Sequence, residues 1–199
     1  MLFFPTMNRL SLSASSVFAA LAAVALLGSA ARAEEPPTAK TTEKGSATPS
    51  VAPAPLTRAE LAELIVKARY GDAFTFPAEA FFKDVPAGDP LFKYVQKFRA
   101  DKLTMGWNGD ASLFGATETV TRYMLASFVV RARFGENFDY PKDALFSDIP
   151  ASHANFKYVQ KAVAAGFLSG CEKGTFCPDQ VVSPDEGRRV VKAALPRKK

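Results

Sequence analysis

Apolar positions along the chain fall into two kinds of helical stripe, and each kind is written more than once. After Thr57, the residues Leu61, Leu64, Ile65 and Ala68 follow the i, i+3, i+4, i+7 spacing of one helix face. Thr57 with Glu60 reads as a capping box at the start, and Gly71 as the stop. The pattern returns behind Thr121 as Leu125, Phe128, Val129 and Ala132, ending at Gly135, and again behind Ser183, paired with Glu186, as Gly187, Val190, Val191 and Ala194. A second kind of helix carries the hexapeptide Phe-Lys-Tyr-Val-Gln-Lys, at 92–97 and again at 156–161, 64 positions later (156 − 92). Asp89-Pro90 supplies the expected cap and first-turn proline of its first copy, and Ser152 the cap of its second. Leu91, Phe92, Val95 and Phe98 form one apolar face, and Phe156, Val159, Val163 and Phe167 the other.

The copying extends beyond the hexapeptide. At the same offset Thr57-Arg58 matches Thr121-Arg122, Pro77 matches Pro141, and Phe82-Lys83-Asp84-Val85-Pro86 matches Phe146-Ser147-Asp148-Ile149-Pro150. One supersecondary unit has been reused, and neither helix kind can bury its stripe alone. The connectors are irregular. Met105 to Asp110 and Ser169 to Phe176 are Gly-rich, aromatic-bearing turns, and the links 71–82 and 135–146 carry Phe74, Phe76, Phe138 and Tyr140 to pin them to the helices. The expected fold class is all-α.

The first 33 residues read as an export signal rather than as part of this fold. Arg9 is the positive region, Val17 to Leu27 a short apolar run, and Ala31-Arg32-Ala33 a small-x-small cleavage site. Cleavage after Ala33 leaves a soluble exported chain; the apolar run is too short to span a bilayer. Losing Arg9 and Arg32 lowers the formal charge from +5 to +3, too small and scattered a balance to indicate nucleic acid. Residues 34–55, rich in Pro, Thr, Ala and Ser, read as a disordered linker, and 196–199 as a basic tail.

Cys171 and Cys177 bracket a tight turn in an exported chain, which points to a disulfide. Free thiols are one competing reading. A metal site with His153 is the other, and two thiols with one distant histidine fall short of a zinc set. Asn108-x-Asp110-x-Ser112 begins like a calcium loop, but Leu113 stands where the glycine is needed and Thr119 where the glutamate is, so no metal or cofactor is expected. His153 has no nucleophile motif around it, which argues against an enzyme. Asp84 and Asp148 read as turn caps rather than an acid pair.

Taken together, Phe146-Ser147-Asp148-Ile149, the helix after it, Ala165 to Gly170, Gly174-Thr175-Phe176-Cys177-Pro178 and Val182 to Glu186 resemble the S-layer homology (SLH) module. Leu56-Thr57-Arg58-Ala59-Glu60 is similar to the helix that closes that pattern, and Val120-Thr121-Arg122 is a shortened form. The resemblance implies a partial repeat at 56–81, repeats at 82–135 and 146–195, and a central three-helix bundle with two helical prongs. It also implies a non-catalytic envelope anchor, secreted to the periplasm, cell wall or cell surface. Its partner would be an acidic cell-wall polysaccharide or a peptidoglycan-linked glycan, bound in grooves between modules. A scaffold that keeps the fold and binds proteins instead is the alternative. The missing first prong leaves room for a second copy to complete it as a homodimer.

Arg58 and Arg122 are the expected ligand residues. Each stands at a first helical position, where the macrodipole disfavours a cation by roughly 0.3–1 kcal/mol, and beside free helix N–H groups it would make an anion site. The competing reading lays each stem over apolar surface or pairs each head with Asp84 or Asp148. Pro184 occupies the third such position and suits a helix start better than a ligand. Trp107, between two turn residues, is a candidate sugar-stacking ring or a lid on the core, with Asn108 and Asp110 as hydrogen-bonding neighbours.

Overall fold

The computed structural model describes residues 54–196; the expected signal segment, most of the linker and the end of the basic tail lie outside them. Five helices are present: α1 (Arg58–Tyr70), α2 (Phe92–Ala100), α3 (Arg122–Phe134), α4 (Phe156–Ala164) and α5 (Pro184–Ala194). Strands are absent among the described residues, and only isolated bridges occur. The bounds of α3 and α4 repeat those of α1 and α2 at the sequence offset. No helix among the described residues is long and apolar enough to cross a membrane.

Each stripe finds a partner. α2 packs on α1, α4 packs on α3, and α5 is shared between α1 and α3. The residues just before the caps of α1, α3 and α5 are tied in a closed cycle. Leu56 N–H donates to Val182 O (3.0 Å), Val182 N–H to Val120 O (2.9 Å) and Val120 N–H to Leu56 O (2.8 Å). All three side chains are buried, so these bonds are shielded from water.

Aromatic rings join the layers. Phe98 of α2 meets Phe114 at 6.1 Å and Phe128 of α3 at 5.2 Å, and Phe82 meets Phe114 at 5.4 Å. Burying each such ring contributes about 1.5–3 kcal/mol. The hexapeptide residues Phe92, Val95, Phe156 and Val159 are core, and Tyr158 is buried with its hydroxyl on Glu136 at 2.7 Å.

The helix stops agree with the sequence: Gly71 and Gly135 sit at φ 73° and 74°. The starts agree less well. Thr57 and Glu60 form the full capping box, but Thr121 makes no side-chain cap bond, and Met124 at the third helical position cannot supply the reciprocal glutamate bond. Ser183 accepts from Glu186 N–H, while the Glu186 carboxylate turns away to Arg122. Asp89 does not cap α2; it holds Leu91 N–H (2.7 Å) in the turn before, and Leu91 is the N-cap. Likewise Asn155 replaces Ser152 at the start of α4. In both places a turn intervenes between the predicted cap and the helix.

Candidate ligand groove

The two arginines are anchored by the same backbone device. Arg58 Nε donates to Phe114 O (2.9 Å) and Arg122 Nε to Phe176 O (3.0 Å). Each of those loops is pinned by an aspartate from the same repeat. Asp84 accepts the N–H groups of Phe114 (2.8 Å), Gly115 (2.7 Å) and Ala116 (3.1 Å), and Asp148 those of Phe176 (2.8 Å) and Cys177 (2.7 Å). Burial works to raise the Asp84 carboxyl, but these backbone bonds outweigh it and hold it below the usual range. The aspartates are turn caps, as the sequence suggested, and form no ion pair with either arginine.

The expectation of free helix N–H groups beside the arginines needs correction. Both side chains are buried, at 4 % and 7 % exposure. The helix N–H groups beside them are not free. Glu118 O and Ala116 O accept from the N–H groups of Arg58 and Ala59, and Gln180 O and Pro178 O from those of Arg122 and Tyr123. Carbonyls from the loop that leads into the next bundle helix therefore offset the helix dipole, which is how a cation is tolerated at each first position. Any anion must be recognised by the guanidinium.

The guanidinia then diverge. Arg122 donates to Glu186 of α5 and to Ser169 O, and it lies over the Phe176 ring at 4.8 Å. Arg58 forms no ion pair among the described residues. Its Nη2 reaches Gly106 O at only 3.4 Å, and its head lies 4.5 Å from the Trp107 ring centroid. The cause is one residue: Glu186 is the third residue of α5, and Met124 holds that place in α3. Burial lowers the Arg58 pKa to about 10, partly countered by Tyr123, Asp84 and Glu118, so it stays charged at neutral pH.

Arg58 and Met124 line a cavity of about 250 Å³ between the first prong and α3, together with Gly106, Trp107, Tyr123 and Ser127. Trp107 is half-buried, and a Cβ on Gly115 would come within 2.7 Å of its ring. It is thus a fixed wall rather than a free platform. Asn108 and Asp110 are not part of the lining. Asn108 (φ 49°) and Gly109 (φ 81°) form the tip of a two-residue hairpin closed by Trp107 and Asp110, and Asp110 is bonded to Ser112. Tyr123, Ser127 and Arg131, spaced four apart on α3, are lining residues the sequence reading missed, and that polar stripe beside the apolar one was their signal.

In the later repeat the place of Trp107 and Gly115 is taken by Cys171 and Cys177, which are bonded, with Cα atoms 6.0 Å apart. Cys177 adopts φ 56° and Gly115 φ 70°, so the two turns share a backbone and differ in what closes them.

These features define a repeat-built helical module with a loop-lined cleft at the start of α1. Residues 145–183 match the family model of the S-layer homology domain, so that the last repeat of this chain is similar to that module. No curated relative matches the chain. S-layer homology domains bind cell-wall polymers and anchor proteins to the cell wall, which associates this chain with the cell envelope or surface.

Proposed function

We propose that this protein is an exported, non-catalytic anchor that docks on an acidic cell-wall glycan, with the acid group received beside Arg58. One observation carries the reading. Arg58 is a buried guanidinium without an acidic partner at the wall of a cavity, while its twin Arg122 already has one. A desolvated cation gains more from an arriving carboxylate or phosphate than a solvated one does. The sugar body would lie along Trp107 and Tyr123, which line the same cavity.

Co-sedimentation with purified cell-wall sacculi tests it. The mature protein should pellet with sacculi, lose binding when acidic polymer is extracted, and lose it again in Met124→Glu, which places a carboxylate before Arg58. Failure to pellet with either preparation sinks the glycan reading in favour of a protein scaffold. Full binding by Met124→Glu moves the site away from Arg58.

A further inference from the structure

Three helices of one kind form the bundle, and only two short helices cover them. α2 packs on α1 and α4 on α3, and no third helix of that kind exists among the described residues. The consequence shows at two positions of α5. Ala62 and Val66 of α1, like Ala126 and Val130 of α3, are completely buried. Carried along the repeat, the same positions of α5 are Arg188 and Lys192 (126 + 62 = 188, 130 + 62 = 192), and both are exposed. The helices that carry a short partner are apolar and closed there; the one without is cationic and open.

Arg188 and Lys192 line a cavity of about 470 Å³ between α1 and α5, together with Leu64, Ala68 and Leu195 and with Lys67. Leu64 holds the place of Phe128 (64 + 64 = 128), the residue of α3 that receives Phe98 of α2 at 5.2 Å. The cavity therefore lies where the repeat would seat one more short helix. Every charged residue of its lining is a cation. Lys67 and Arg188 have partners only on their own helices, Glu63 and Asp185, and Lys192 has no ion pair among the described residues. The sequence adds Arg197-Lys198-Lys199 directly after Pro196, which also lines the cavity.

An apolar floor bordered by cations calls for the reverse pattern, an apolar stripe flanked by acids. Leu64 and Ala68 are half-buried and Leu195 is buried, so side chains must reach inward, which a flat lipid surface does not do. A second copy of this chain would bring its own cations to the same place. We propose that the groove docks an acidic amphipathic helix of another protein. Its stripe rests on Leu64 and Ala68, and its carboxylates meet Lys67, Arg188 and Lys192. The groove shares no lining residue with the Arg58 cavity, so the proposal stands without it.

The probe is a fluorescein-labelled peptide of residues 89–101 bearing Lys93→Glu, Gln96→Glu, Lys97→Glu and Arg99→Glu. It keeps the Phe92, Val95 and Phe98 face of α2 and makes its flanks acidic. Anisotropy with the mature protein should rise saturably, and a scrambled peptide of the same composition should bind about tenfold more weakly. Arg188→Glu with Lys192→Glu should weaken the acidic peptide by a similar factor and leave pelleting with sacculi unchanged, which separates this site from Arg58. Should that double variant fail to fold, Lys192→Gln alone should weaken the peptide severalfold with an unchanged melting temperature. No saturable binding, or binding undiminished in either variant, overturns the proposal. So does equal binding of the scrambled peptide, which would make the groove a general polyanion site. Loss of sacculus binding in the double variant, displacement of the peptide by phosphatidylglycerol vesicles, or a dimer of the mature protein that the variants abolish would each overturn it too, by assigning the groove to wall polymer, lipid or a second copy.

Discussion

The surroundings of Arg58 and Arg122 start from one plan and end in opposite states. In both, an aspartate pins a loop, the loop offers a carbonyl to Nε, and an aromatic ring lies against the guanidinium. At Arg122 a glutamate from α5 completes the set and a disulfide closes the turn. At Arg58 a methionine leaves the charge unmatched, and an indole resting on Gly115 does the closing. Duplication supplied a structural arginine twice, and the third residue of the following bundle helix decides which copy has an acidic partner.

The largest effect should come from breaking the matched pair. Arg122→Ala strands Glu186 in a mostly buried position and should lower stability by about 3–5 kcal/mol in urea unfolding. Arg58→Ala strands no charge and should cost less; equal losses would erase the distinction. Next, Asp84→Ala removes three backbone bonds to a carboxylate and should cost about 2–3 kcal/mol. Because its folded pKa is depressed, the Asp84 contribution is complete above about pH 4, the ordinary carboxyl range, and is lost as pH falls toward its lowered folded value. Asp84→Ala should therefore flatten the acid limb of the stability profile, and an unchanged limb would contradict the assignment.

Reducing Cys171–Cys177 should cost about 2 kcal/mol in the chain-entropy picture. The single tryptophan lies in the other turn, so native-state Trp107 emission should not move on reduction. A shifted emission would mean that the two turns are coupled. The smallest stability change, under about 1 kcal/mol, is expected for Met124→Glu, since the new carboxylate meets Arg58 as Glu186 meets Arg122. Calorimetry checks it, and a loss comparable to that of Arg122→Ala would mean that the pairing does not form.

Local signals carried much of this fold. The 3.6-residue stripes, Gly71 and Gly135 and the cysteine spacing each express themselves within a few residues, and each appears in the structure. What the sequence concealed depends on distant partners. Nothing near Arg58 indicates that Glu118 and Ala116 occupy its helix end, and nothing near Arg122 announces Glu186, 64 positions on (186 − 122). The starts of α2 and α4 were misplaced because Asp89 and Ser152 resemble caps, while the chain needs one more turn before the helix axis fits its groove. Asn108 and Asp110 were nominated from their polarity, which a hairpin tip requires for its own reasons.

The cycle of hydrogen bonds through Leu56, Val120 and Val182 has a mechanical consequence. A load drawn on the chain at Ala54 arrives first at Leu56, whose N–H and C=O are held by two different repeats. Such a pull cannot peel α1 away alone; it shears bonds to the neighbours of α3 and α5 at the same moment. A domain built this way resists traction as a unit, with its lock just ahead of α1.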